Sequence, residues 1–208
     1  MGPEQLDMAF LRSNLGHDNG PLVRGKRIVL RVPQMHDYVA WAEIRQQSRE
    51  HLVPWEPTWA RDELTRAAFR RRIRHYQREM RDDLGFAFFI FHDADDRLLG
   101  GLTISNIRRG VTQAAALGYW LGAPFTGRGY MSETVNTVAA FAFERLRLHR
   151  LEAACLPHNT ASVAVLERTG FQHEGRARRY LKINGQWQDH LLFARLNDDA
   201  LPAEVGRS

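Results

Sequence analysis

The residues from Leu117 to Arg147 constrain this chain most. An apolar run closing on Gly118-Tyr-Trp-Leu-Gly122 is followed by Ala-Pro-Phe and then by Thr126-Gly127-Arg128-Gly129-Tyr130-Met131-Ser132-Glu133. Met131, Val135, Val138, Ala142 and Leu146 then recur every three or four residues, the spacing of one helix face. The order is therefore strand, tight turn, helix. Gly127 and Gly129 let the backbone turn sharply and approach a ligand with no Cβ in the way. A helix start presents amide N–H groups without intrahelical partners and the positive end of the macrodipole. It thus favours an anion such as a pyrophosphate, and Arg128 adds a mobile charge beside it. By itself a Gly-x-Gly turn is more often a plain connection, and neither the dinucleotide fingerprint nor the Walker pattern occurs here.

The rest of the composition narrows the setting. With 208 residues, 44% of them hydrophobic, the chain can bury a core of its own as one domain. Its single cysteine, Cys155, excludes an internal disulfide and fits a reducing compartment, and scattered histidines argue against a zinc site. No apolar stretch approaches the roughly 18 residues of a membrane span, and the first residues lack a signal-peptide layout. These features point to a soluble, cytoplasmic protein without a membrane partner. A net charge of +5 favours anionic partners, namely a phosphate-bearing cofactor, RNA or a nucleoprotein surface, although a merely soluble basic protein also fits.

Taken in order, residues 1–25 read as an N-terminal arm, 26–197 as the domain and 198–208 as a flexible tail. Arg27 to Val32 is a short strand, and residues 36–47 form a first helix. His51-Leu-Val-Pro-Trp-Glu-Pro-Thr-Trp59 then sets two tryptophans on a proline-stiffened loop, either as core plugs or as a wall for an acceptor. Residues 62–81 carry Leu64, Ala68, Phe69, Ile73, Tyr76 and Met80 on one helix face. Arginines 66, 70, 71, 74, 78 and 81 crowd the other. Such a run reads as a solvated face, with contact to RNA or an acidic protein tail as the alternative. Strands follow at 86–91, 98–107 and 114–122, joined by short turns. The helix after the glycines and the apolar run 151–156 make a strand–helix–strand crossover, so a mostly antiparallel sheet gains one parallel pair. Asn159 caps a further helix ended by Gly170. A strand begins over 171–174, and residues 180–195 form a hairpin about Asn184-Gly185.

Three motifs stand in fixed order: the Gly-Arg-Gly turn, Pro157-His-Asn-Thr-Ala-Ser162, and Leu166-Glu-Arg-Thr-Gly-Phe171 with Glu174-Gly175. Over residues 27–196 that order resembles the Gcn5-related N-acetyltransferase (GNAT) superfamily. Leu52-Val-Pro-Trp-Glu-Pro57, Ser105-Asn-Ile-Arg-Arg-Gly110 and Ile183-Asn-Gly-Gln-Trp-Gln-Asp-His190 look like the RimJ/RimL type of ribosomal-protein-alanine N-acetyltransferase. The resemblance implies an α/β (α+β) fold with a mixed, mostly antiparallel sheet, helices on both faces and one parallel crossover at splayed central strands. It implies acetyl transfer from acetyl-CoA to an amine, expected to be a ribosomal protein's N-terminus, by direct attack and without a metal. An acceptor that is a small amine, or a ribosome-associated assembly module with weak catalysis, are the alternatives. The resemblance leaves open whether the chain is a monomer or a homodimer.

By the same resemblance, Gly127, Arg128, Gly129, Tyr130, Met131 and Ser132 would take the pyrophosphate, Leu121 would lie on a splayed strand and supply a backbone N–H, and Asn159 would meet the pantetheine amides. Trp55, Asn106 and Tyr180 are expected on the acceptor side. The chain departs from the family's pattern at Thr126 and Met131 in the turn. Ala116 stands where a base glutamate is common, and Leu166 where a tyrosine acid is common. Ser162 is therefore the candidate to protonate or hydrogen-bond the thiolate, and Glu56 the candidate base, with Tyr119 and Tyr180 as weaker choices. An N-terminal amine has a pKa of about 7.7–8.0, so it needs less help than lysine.

Overall fold

The computed structural model describes residues 20–199. Of the arm expected over residues 1–25 and the tail expected over 198–208, residues 1–19 and 200–208 lie outside them. Residues 22–24 belong to the sheet rather than to an arm, because β1 (Leu22–Arg24) pairs antiparallel with β2 (Ile28–Arg31).

The next elements are α1 (Tyr38–Gln47), the single turn α2 (Arg49–Leu52) and α3 (Arg66–Arg81). The strands β3 (Phe86–His92), β4 (Leu98–Arg108) and β5 (Ala114–Leu121) follow. The C-terminal half runs α4 (Tyr130–Glu144), β6 (Arg150–Cys155), α5 (Thr160–Arg168), β7 (Gln172–Ile183) and β8 (Gln186–Leu196). All strands join one sheet in the order β1-β2-β3-β4-β5-β6-β8-β7. Among the described residues only β5 and β6 are parallel, as the helix between them requires.

Strand β3, Phe-Ala-Phe-Phe-Ile-Phe-His, is covered on both faces, which explains its unbroken apolar run. Alternate side chains meet different helices. Phe86 and Phe88 meet Phe141 of α4 edge-on, whereas Phe89 stacks on Phe69 of α3, which also touches Trp41 of α1. Val135, Val138, Ala139 and Ala142 of α4 are fully buried. Helices therefore lie on both faces of the sheet.

Several boundaries differ from the sequence reading for local reasons. Residues 62–65 form a turn, and α3 starts only after Thr65, whose hydroxyl accepts from the Ala68 amide at 3.2 Å. Helix α4 ends at Glu144, where an irregular cap, with Leu148 N–H bonding to Ala142 O at 3.1 Å, keeps Leu146 and Leu148 buried. The two strand pieces expected over 171–183 are one strand with register shifts at His173/Gly175 and Ala177/Leu181. The hairpin turn is as read, with Asn184 (φ 42°) and Gly185 (φ 81°) both left-handed, as a two-residue turn between twisted strands demands.

Candidate active site

The parallel pairing of β5 with β6 runs from Ala114↔Arg150 to Leu117↔Ala153 and stops. Beyond it, Gly118 to Leu121 pair only with β4, and Ala154 and Cys155 only with β8, so a wedge opens between the two strands. Leu121, paired with Gly100, lines the far end of the splayed segment.

The glycine turn sits where β5 leaves the sheet. A 3-10 turn over Ala123–Phe125 is fastened by the Ser48 hydroxyl, which accepts from the Ala123 amide at 2.9 Å. The Thr126 hydroxyl is occupied, donating to Ala123 O at 3.0 Å. Gly127 and Gly129 have φ of 73° and 80°, and a Cβ on Gly127 would meet nothing within 4 Å, so that residue faces open space. The intrahelical ladder begins with Glu133 N–H to Gly129 O at 3.1 Å, whereas the amides from Gly127 to Ser132 reach no acceptor among the described residues. Six such donors at the start of a fifteen-residue helix fit a pyrophosphate. Arg128 is exposed beside them, Tyr130 is half-buried, and the Met131 side chain is in the core, so its amide is the part that faces the turn. Glu133 would repel an anion here, but Arg27 neutralises it, with Arg27 Nε to Glu133 Oε2 at 2.9 Å and Arg27 N–H to Oε1 at 2.7 Å. Arg27 also donates to Arg128 O at 3.2 Å. Sequence reading missed Arg27, because a lone arginine flanking a short strand gives no sign that it meets a residue 106 positions away.

Across the wedge, the Tyr119 hydroxyl of β5 and the Ser162 Oγ of α5 are 2.8 Å apart. Cys155 lies on β6 at the other side of the wedge, with Ser162 among the groups that act on its thiol. Burial pushes the Tyr119 phenol well up, and burial likewise raises the Cys155 thiol. Tyr119 therefore stays protonated and can donate to Ser162, leaving the serine proton free to point onward. Asn159 caps α5 through Oδ1, which accepts from the Ser162 amide at 3.1 Å, and its amide nitrogen remains available as a donor. Leu166, where a tyrosine is common, is buried in the core.

The acceptor-side expectations divide. Trp55 lies 5.3 Å from the His158 ring, so the Pro-Trp-Glu-Pro loop does reach the segment between β6 and α5. Asn184 N–H donates to Glu56 O at 2.9 Å, tying the β7–β8 hairpin to the same loop. Tyr180 is exposed on that hairpin with its ring 5.8 Å from the His190 ring. The Glu56 carboxylate, expected as a base, is instead held on both oxygens. Arg45 Nη1 and Nη2 donate at 2.9 and 2.7 Å, and Trp59 Nε1 donates at 2.7 Å. Both oxygens are thus engaged by a buried arginine and an indole, which gives Glu56 a part in shaping the loop. Asn106 also stands apart. It is exposed, with φ 52°, in the irregular stretch of β4 between Ser105 and Arg108. Tyr119 pairs with Leu102, so Asn106 lies about 13 Å farther along the strand, toward the end where β5 and β6 remain joined. Its left-handed backbone gives it a structural place there.

Residues 27–172 match the Acetyltransferase (GNAT) domain family. The chain belongs to the GNAT family. It is an acetyl-CoA-dependent N-acyltransferase. The chain is 38% identical to the "Probable N-acetyltransferase YjcK" of Bacillus subtilis over 178 residues, covering 86% of this chain and 98% of that protein. It is 33% identical over 188 residues to the [ribosomal protein uS5]-alanine N-acetyltransferase of Escherichia coli, covering 88% and 96%. Among solved structures, the Mycobacterium smegmatis RimJ in complex with CoA-disulfide has a TM-score of 0.78 at 34% identity, covering 91% of this chain and 90% of that one. No group of His, Cys, Asp and Glu that could hold a metal occurs among the described residues. No helix among them is long and apolar enough to cross a membrane.

Proposed function

We propose that this enzyme acetylates the N-terminal α-amine of a ribosomal protein, with alanine as the expected first residue. The 2.8 Å bond between Tyr119 and Ser162 across the wedge carries the chemical part of the reading, and the likeness to the uS5-alanine enzyme supports the acceptor. The neutral amine attacks the thioester carbonyl, whose developing oxyanion is met by a backbone N–H on the Leu121 segment. As the tetrahedral species collapses, the C–S bond breaks. Ser162 hydrogen-bonds or protonates the leaving sulfur while Tyr119 donates to Ser162. The proton lost by the amine leaves through water, so proton gain and loss balance. No residue is acylated, because Cys155 is a buried thiol whose pKa is raised rather than lowered.

The acceptor would lie against Trp55, Tyr180 and the hairpin. Arg176 and Arg179 line a groove of about 510 Å³ there with Trp187 and His158. Asp189 also lines the groove and pairs with Arg176 at 2.8 Å, so charge there does not choose the acceptor, and the peptide reading rests on the likeness to the uS5-alanine enzyme. The test is to incubate the purified chain with acetyl-CoA and unacetylated ribosomal proteins and read the N-termini by mass spectrometry. One N-terminus gaining a single acetyl group is the expected result, and acetylation of polyamines alone would refute the proposal.

A further inference from the structure

The outward face of α3 carries arginines that acetyl transfer does not use. Arg66, Arg70, Arg74 and Arg78 follow at intervals of four, so they form one stripe with neighbours about 6 Å apart along the helix axis. All four are exposed. Arg66 lies over the Tyr38 ring at 5.6 Å. The guanidiniums of Arg70, Arg74 and Arg78 meet no carboxylate, acceptor or ring among the described residues.

Among the described residues, Arg61, Arg128, Arg145, Arg168 and Arg178 are exposed without an ion pair as well, but they are scattered, whereas these four stand in one row on one helix. Other surface arginines find acids, as Arg24 does Asp93 and Arg109 does Asp83. On α3 itself Arg71 and Arg72 turn aside to Asp62 and Glu63. Those two pairs also tie the stripe's helix to the loop that holds Trp55 and Trp59. The opposite face of α3 is fixed by buried Phe69 and Ile73, so the stripe is presented on a rigid support. Like charges four residues apart repel, and an external polyanion would relieve them all at once.

We propose that this stripe docks on the phosphate backbone of folded RNA and brings the acceptor wall beside a protein N-terminus lying on that RNA. No Phe, Tyr or Trp stands in the stripe, so it offers no platform for stacking unpaired bases, and paired segments are the fit. The choice of RNA rests on the ribosomal acceptor proposed above, but the test below needs no acetylation, so the two can fail separately.

The full chain is titrated with a fluorescent RNA hairpin by anisotropy at several salt concentrations, beside R70Q/R74Q/R78Q. Losing three phosphate contacts should flatten the slope of log K against log salt by about 2 to 3 and weaken binding at low salt at least tenfold. Melting temperature should not fall and kcat/KM on a free N-terminal peptide should not change, since these side chains touch nothing in the wedge. Equal slopes for the two proteins would overturn the proposal. So would a stripe-dependent loss seen only with polyglutamate, which would assign the stripe to an acidic protein.

Discussion

Ser162 stands between a phenol that stays protonated and the opening where the thioester sulfur would lie. If it assists the leaving thiolate, Ser162→Ala should lower kcat about 100-fold, at the lower end of general acid effects, and leave acetyl-CoA affinity intact. Tyr119→Phe removes a supporting hydrogen bond of about 0.5–1.5 kcal/mol, so its kcat should fall only about 3- to 10-fold. The pH profile separates these roles from a base. Burial raises the Tyr119 pKa above its usual value of 10.0, so the donor form persists as pH rises and no loss of turnover below pH 10 should trace to it. The rising limb should follow the acceptor amine, with a midpoint of about 7.7–8.0, and stay in place in both Tyr119→Phe and Glu56→Gln. A limb displaced in Glu56→Gln would restore Glu56 as the base.

At the level of elements, the turn and the Trp loop depend on different physics. Gly129 at φ 80° caps α4 in a conformation that costs an L-residue about 1–2 kcal/mol. Gly129→Ala should therefore strain the amide cradle and raise KM for acetyl-CoA several-fold. Arg27→Ala should do the same by another route, leaving Glu133 unneutralised beside the phosphates. Its effect should shrink when Glu133→Gln is added, and kinetics on the double variant would check that. In the loop, Glu56→Gln replaces the charge opposite Arg45, whose side chain is only 7% exposed. A loss of about 1–3 kcal/mol by thermal melting is expected, because a buried guanidinium is left without its counter-ion. The turn was legible in the sequence because glycine spacing and helical period are local signals. The carboxylate tie was not, since Arg45 looks like any helix arginine until α1 and the loop are folded together.

For the whole molecule, the order of elements and the single parallel pair followed from short turns and one long crossover helix. The wedge itself could only be expected through the resemblance, because nothing in Gly118 to Leu121 or in Ala154-Cys155 says that pairing stops after Leu117↔Ala153. Asn106 shows a related limit: motif order does not say how far along β4 a residue falls, and Asn106 stands four residues beyond Leu102, the partner of Tyr119. The wedge also links cosubstrate binding to folding. It exists only while β5 and β6 are docked at one end and held apart at the other by β4 and β8, so acetyl-CoA should bind the folded chain and not the unfolded one. At 100 times Kd that adds about 2.7 kcal/mol, enough to raise Tm by about 5–10 °C in a domain of this size. Ser162→Ala should keep the full shift, and Gly129→Ala should show a smaller one at the same concentration. A wild-type Tm indifferent to saturating acetyl-CoA would mean that the free amides of the turn are not its binding site.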